Sequence, residues 1–275
     1  MPLTPVADLI ASARPGGLGA FNVITLEHAE AIAAAAESAN RPVVLQLSEN
    51  TAIYHGNLAP LALACLRIAA DSTAAIAVHL DHATSPELVR AAVDLGIRSV
   101  MYDGSTLDYA ANVATTADIT RWCHDRDVHV EAELGEVGGK DGAHAPGVRT
   151  DPDEAVEFVA ATGVDALAVA VGSSHAMHTR TATLDNDLIA HLAAKVPVPL
   201  VLHGSSGVPD EGLRAAVEHG ITKVNIATRL NVLMTEAIRT TLATDPTLSD
   251  PRKYLTPART AIHTEVVHFL HLLAP

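Results

Sequence analysis

The residues Val78-His79-Leu80-Asp81-His82 place two histidines and a carboxylate at the end of an apolar run that begins at Ala75. Imidazoles and carboxylates move protons near neutral pH and bind divalent metals. Alternate residues of a strand face opposite sides, so Asp81 and His82 serve one site only if the strand stops at Leu80 and the backbone turns. This makes the segment a strand end feeding a pocket. A second reading makes the histidines hydrogen-bonded core residues and Asp81 a helix cap. The stretch alone leaves both open.

Two further histidines follow apolar runs: His175 in Gly172-Ser173-Ser174-His175, and His203 in Leu202-His203-Gly204. Three imidazoles from separate strands, converging with His82, would make a divalent metal site with an open coordination position, the arrangement catalytic zinc uses. His28, His191, His219, His263, His268 and His271 fall in helical patterns and read as surface or packing residues. The run Gly204-Ser205-Ser206-Gly207 offers backbone N–H and hydroxyl donors to an anion, or simply a tight turn before the next helix.

The elements that must position these groups can be counted. From Leu18 onward short β-branched runs alternate with Ala-rich amphipathic stretches, giving eight units. Strands are expected at 19–23, 43–47, 75–80, 99–102, 129–134, 166–171, 200–202 and 223–226, with helices at 26–40, 59–70, 86–95, 108–127, 152–162, 187–195, 211–219 and from 229 to about 243. Ser85-Pro86 and Asp151-Pro152 are helix starts, and Gly96, Gly163 and Gly220 follow the last periodic residues. Eight β-then-α units make a closed parallel (β/α)8 barrel, the TIM barrel, the economical fold of the α/β class, with an open doubly wound sheet as the alternative. In a barrel the active site lies at the C-terminal strand ends. Asn22, Gln46 with Ser48, Asp81 with His82, Asp103, Glu133, His175, His203 and Asn225 all fall there. Glu131 lies deeper on the same strand parity as Glu133 and Lys223 shares parity with Asn225, so an internal Glu131–Lys223 pair is expected, with a structural role. The stretch 251–273 reads as one or two additional C-terminal helices.

Composition agrees with a single domain over residues 1–275. Hydrophobic residues make up 48% and aromatics only 3%, so small aliphatic side chains must fill the core. The net charge of −14 repels nucleic acid and anionic lipid. No apolar run approaches the roughly 20 residues of a membrane span, and no signal-peptide pattern opens the chain, so a cytoplasmic protein is expected. Cys65 and Cys123 sit singly in helix-like segments, as buried thiols.

Several longer motifs resemble the class II, metal-dependent aldolases, nearest the fructose-bisphosphate and tagatose-bisphosphate group. They are Gly19-Ala20-Phe21-Asn22, His79 to His82, Met101-Tyr102-Asp103-Gly104-Ser105, Glu131-Ala132-Glu133-Leu134-Gly135 with Gly138-Gly139, Thr162-Gly163-Val164-Asp165 through His175, His203 to Gly207, and Lys223 to Thr228. The resemblance runs nearly end to end. It implies a lyase that cleaves or forms a ketose phosphate, with dihydroxyacetone phosphate as product. His82, His175 and His203 would hold zinc or another divalent metal, Asp103 and Glu133 a second resting location for it, and a monovalent cation is a further candidate. Asp81 would handle the substrate hydroxyl proton. Gly204, Ser205 and Ser206 with Asn225, Ile226, Ala227 and Thr228 would cradle a phosphate, and Asn22, Gln46 and Ser48 are the remaining candidates for substrate contact. The partner is a small sugar phosphate, and the assembly a homodimer or homotetramer.

The chain departs from the family pattern at several positions. Asp141, after Gly138-Gly139-Lys140, stands where relatives carry the loop glutamate that exchanges the carbon-bound proton. Ala176 stands in place of a glycine and His178 in place of a common tyrosine. Arg180, Arg252 and Arg259 are candidates to grip a second phosphate, with surface or interface ion pairs as their alternative. These changes keep open a metal-dependent epimerase, or an aldolase acting on a ketose that is not a bisphosphate. A noncatalytic subunit is disfavoured by the intact histidines, and a metal-dependent amidohydrolase by the absence of His-x-His on the first strand.

Overall fold

The computed structural model describes residues 3–134, 149–175 and 177–275. Eight parallel strands close into a barrel in sequence order, β8 pairing back onto β1. The strands are β1 (Leu18–Asn22), β2 (Val43–Ser48), β3 (Ile76–Ala83), β4 (Ser99–Tyr102), β5 (His129–Leu134), β6 (Ala166–Val169), β7 (Leu200–Leu202) and β8 (Ile221–Ile226). Around them run α1 (Val6–Ala13), α2 (Leu26–Ala39), α3 (Glu49–His55), α4 (Ala59–Asp71), α5 (Pro86–Asp94), α6 (Tyr109–His124), α7 (Pro152–Thr162), α8 (Asn186–Lys195), α9 (Asp210–Glu218), α10 (Thr228–Thr244) and α11 (Pro251–Leu272). The expected TIM barrel with a C-terminal addition is the fold. The addition is one helix, which carries Pro257 inside it and packs against α2 and α10.

The expected helix boundaries rest on visible caps. The Ser85 side chain accepts from Leu88 N–H, and Asp151 from the N–H groups of Asp153 and Glu154. Gly163 ends α7 in the left-handed conformation. Two helices lie outside the expected set. Helix α3 is a seven-residue element within the loop after β2, started by Ser48, whose hydroxyl accepts from Thr51 N–H. Helix α1 precedes the first strand.

Strand alternation sorts the side chains into two sets. One set, including Phe21, Val43, Leu45, Val78, Leu80, Val130, Leu167 and Leu202, joins the helices in the main core. The other faces the barrel interior. At its floor Leu18, Ala20, Val44 and Ala77 pack with Val6, Leu9, Ile10 and Ala13 of α1, so α1 seals the N-terminal mouth. Met101, Ala166, Ala168 and Val201 form a further small apolar cluster. The same parity carries polar residues toward the other mouth: Asn22, Gln46, Asp81, Asp103, Glu131, Glu133, Lys223 and Asn225. The Glu131–Lys223 pair forms, Lys223 Nζ donating to Glu131 Oε2 at 2.8 Å with both side chains buried.

Because α1 closes the barrel floor with few residues, each apolar contact there matters. Leu9→Ala is expected to lower the unfolding free energy by about 2–5 kcal/mol in urea titration. A change within error would show that α1 is not integral to the core.

Candidate active site

Strand β3 does not stop at Leu80 as expected. It continues to Ala83, and Asp81 and His82 reach one cleft by another route. His82 adopts a left-handed backbone, φ 49°, and β3 pairs with β4 through Leu80–Val100 and Ala83–Tyr102. Three steps on β3 therefore span two on β4, a bulge whose extra residue shifts the side-chain alternation. Both residues line a cleft of about 490 Å³ at the C-terminal strand ends.

His82 and His175 line that cleft, and the enclosed His203 meets them. Ring centroids are 4.6 Å apart for His82 and His203, 5.1 Å for His82 and His175, and 5.9 Å for His175 and His203. One ligand atom from each of the three lies within 4.8 Å of the others, and His82, Asp103 and Glu133 satisfy the same condition. His82 Nδ1 meets Asp103 Oδ2 at 2.8 Å, and His203 Nε2 meets Glu131 Oε1 at 2.9 Å. A carboxylate only accepts, so these contacts favour the proton on each of those nitrogens. The remaining nitrogens, His82 Nε2 and His203 Nδ1, face each other at 2.9 Å. Glu133 Oε2 stands 3.5 Å from His203 Nδ1, so these nitrogens and that oxygen form one compact set of potential ligand atoms. The donor set suits a divalent metal.

Two close approaches hold this geometry. Gly204 is left-handed, φ 65°, and a Cβ there would meet the Ser174 carbonyl oxygen at 2.7 Å, so a glycine lets the segment bearing His175 lie against the end of β7. Ser206 Oγ accepts from the N–H groups of Ala227 and Arg229 at 3.3 and 3.2 Å, tying the Gly204–Gly207 turn to the start of α10. Gly204, Ser205, Ser206, Asn225, Ala227 and Thr228 all line the cleft. Ile226 is buried in the main core and does not.

Asp81 is set by a relay. Asn22 Nδ2 donates to Asp81 Oδ2 at 2.8 Å, and Gln46 Nε2 donates to Asn22 Oδ1 at 3.1 Å. Gln46 is thus wholly enclosed behind Asn22 rather than lining the cleft. The other oxygen of Asp81 is buried without a hydrogen-bond partner among the described residues. Burial pushes the Asp81 pKa upward, but the neighbouring His82 and His203 imidazoles, the Lys223 ammonium and the Asn22 N–H outweigh it and hold the carboxyl below its ordinary value.

The model of the family described as "Fructose-bisphosphate aldolase class-II" matches residues 5–274. The chain belongs to this family. A fructose-bisphosphate aldolase of Staphylococcus epidermidis is 38% identical over 272 residues, covering 97% of this chain and 95% of the relative, and one of Staphylococcus aureus is 37% identical over the same span. Among solved structures, the YdjI aldolase of Escherichia coli K12 superposes with a TM-score of 0.87 at 28% identity, over 98% of this chain and 97% of that one.

In this class II aldolase the cleft is also lined by residues that sequence reasoning missed. Glu49, Asn50 and Ile53 of α3 line it together with Ser48 and Thr84. Glu49 accepts from the N–H and hydroxyl of Thr84, joining the β2 and β3 loops. Only the capping signature of Ser48 ahead of Glu49 hinted at a helix there. The expected arginine candidates are engaged elsewhere: Arg180 with Asp210, Arg252 with Asp250 and Arg259 with Glu30. Asp141 lies outside the described residues.

Gly204→Ala is expected to destabilise the aldolase by about 1–3 kcal/mol in urea titration, since it combines a left-handed backbone with a clash against Ser174. Wild-type stability would mean that the two loops yield freely.

Proposed function

We propose that residues 1–275 act as one metal-dependent aldolase domain that cleaves and forms a ketose bisphosphate, with dihydroxyacetone phosphate as the ketone product. The observation that carries this reading is the clustering of His82, His175 and the enclosed His203 beside a cleft lined by the first two together with Asp81 and the Gly204–Ser206 turn. The donor set fits zinc or another divalent ion on the three histidines, with Asp103 and Glu133 offering a second location, and such an ion supplies a Lewis acid that stabilises the enediolate charge left by carbon–carbon cleavage. No Schiff-base lysine is then needed.

The remaining steps belong to side chains. Asp81 takes the proton of the substrate hydroxyl during cleavage and returns it to the aldehyde oxygen during condensation. Its Oδ2 is held by Asn22 and its other oxygen is available for that proton. Asn22 and Gln46 orient Asp81, and Ser48 and Asn225 border the substrate. The turn at Gly204–Ser206 and the N-terminal end of α10 at Ala227 and Thr228 receive the ketone's phosphate through neutral donors and the helix dipole. Asp141 is assigned the carbon-bound proton on the strength of its position after Gly138-Gly139. A cytoplasmic homodimer or homotetramer completes the reading, and among the described residues no helix is long and apolar enough to cross a membrane.

A second reading is a metal-dependent sugar or sugar-phosphate epimerase on the same scaffold, or an aldolase acting on a ketose that is not a bisphosphate. The engagement of Arg180, Arg252 and Arg259 in ion pairs favours it, since among the described residues no lysine or arginine side chain lines the cleft.

A coupled assay for dihydroxyacetone phosphate from fructose and tagatose 1,6-bisphosphates decides between them. Release that a chelator abolishes and added zinc restores is expected. No release from either sugar, by protein shown to hold metal, would move the assignment to the second reading. Asp81→Asn is expected to keep its metal and lose about 10²–10⁴-fold in kcat, and near-normal turnover would remove Asp81 from proton transfer.

A further inference from the structure

Below the cleft the barrel holds a buried carboxylate to which the chemistry above gives no task. Glu131 is 1% exposed and its two oxygens are divided between different partners. Oε2 accepts from Lys223 Nζ at 2.8 Å, while Oε1 lies 2.9 Å from His203 Nε2. The His203 ring is fully enclosed, so both of its nitrogens are settled by protein groups: Nε2 by Glu131, and Nδ1 by the cluster containing His82 and Glu133.

We propose that Glu131 is a positioning residue that keeps the His203 proton on Nε2, so that the Nδ1 lone pair points at the ion-holding cluster, and that Lys223 anchors Glu131 in that orientation. The inference rests on the metal reading given above. Its chemistry is that of a hydrogen-bond acceptor behind a ligating imidazole, which fixes the tautomer and the ring's direction.

A second group contacts the same nitrogen. The Asn225 side-chain amide lies 3.0 Å from His203 Nε2 with Nδ2 toward it, an arrangement that taken alone asks Nε2 to accept and would place the proton on Nδ1. The carboxylate prevails for two reasons. A hydrogen bond to a charged acceptor is roughly twice as strong as one between neutral groups. The amide also carries its own acceptor: Asn225 Oδ1 is buried without a partner among the described residues, and a half-turn of the amide brings that oxygen to the Nε2 proton. Glu131 cannot make such an exchange. Lys223 restricts it further, because with Oε2 committed to Nζ only Oε1 faces His203. The neighbouring His79 does not compete for Glu131 through Nδ1, which bonds Ser99 Oγ at 2.7 Å.

Two measurements test this. In ¹⁵N-labelled, chelator-stripped wild-type protein, long-range ¹H–¹⁵N correlations report which ring nitrogen of His203 is protonated, the resonances being assigned by comparison with His203→Gln. The Nε2–H tautomer is expected, and an Nδ1–H tautomer would overturn the proposal. Zinc affinity is then measured by competition with a chromophoric chelator. The charge-neutral double variant Glu131→Leu with Lys223→Met replaces the ion pair by apolar side chains, a change that buried pairs often tolerate. It is expected to keep the native circular dichroism spectrum and to bind zinc roughly 10–100-fold more weakly. Glu131→Gln, which retains an oxygen able to face Nε2, is expected to recover part of the loss. Wild-type affinity in the folded double variant would refute the positioning role. If the double variant does not fold, the wild-type tautomer and Glu131→Gln still decide. Failure of the wild-type protein to bind zinc would instead remove the metal reading, and the tautomer would continue to report on Glu131 alone.

Discussion

The site depends on the backbone at His82. A strand with regular alternation delivers either Asp81 or His82 to the barrel mouth and sends the other among the apolar side chains outside it. The left-handed residue inserted between the Leu80 and Ala83 pairings removes that choice, and both side chains enter one cleft. A non-glycine residue in this conformation carries a strain of about 1–3 kcal/mol. The 2.8 Å contact from His82 Nδ1 to Asp103 is one of the interactions that offset it, and it also sets the direction of the ring. Strain here sits where two functional side chains must be adjacent in sequence and adjacent in space.

Moving inward from that mouth, the barrel interior changes character by layer. The floor is aliphatic and sealed by α1, and above it ionisable groups are buried in engaged pairs: Lys223 with Glu131, Glu131 with His203, His82 with Asp103. Burial raises the pKa of Glu131, yet the charge and hydrogen bond of Lys223, with the neighbouring His79 and His129 imidazoles, outweigh it and keep the carboxyl below its ordinary value. For His79, burial and the Lys223 charge act together and hold the imidazole well below its usual range. Lys223 therefore helps fix the charge state of the interior on which the cluster above it rests. Because breaking one member of a buried pair leaves a charge without compensation, these residues are structurally coupled even where only some border the cleft.

How much of this was legible in the sequence follows from periodicity. Eight units could be counted because strands of period two and helices of period 3.6 alternate without a gap, and Pro and Gly mark helix starts and ends. The Glu131–Lys223 pair was readable for the same reason: parity alone puts both side chains inside the barrel. Its link to His203 was not, because the rise of one strand relative to another is set by barrel closure and leaves no local trace. The bulge at His82 was equally hidden, since histidine carries no signal for a positive φ as glycine would. Helix α3 escaped because seven residues are too few to show a period, and α1 because it precedes the first strand and falls outside the repeating alternation.

The lining of the cleft constrains how any anion is held. The chain carries a net charge of −14, and among the described residues the cleft presents amides, hydroxyls, backbone N–H groups, histidines and carboxylates rather than lysine or arginine side chains. On the proposed reading, a phosphate entering such a site would gain little from long-range attraction and would rely on short contacts: the glycine-bounded turn, the serine hydroxyls and the first turn of α10. Contacts of that kind depend on exact backbone placement and little on ionic strength. The packing of Gly204 against Ser174 and the bonds from the N–H groups of Ala227 and Arg229 to Ser206 would supply that placement. Where recognition is assigned to dipoles instead of cations, rigidity of the loops replaces charge as the source of affinity. The lining from Glu49, Asn50 and Ile53 differs in kind from the Gly204–Ser206 turn, because it offers a carboxylate, an amide and an aliphatic side chain in place of a turn of backbone donors. On the proposed reading the two ends of a bound sugar would meet different chemistry, and that asymmetry would orient it with its phosphate toward α10.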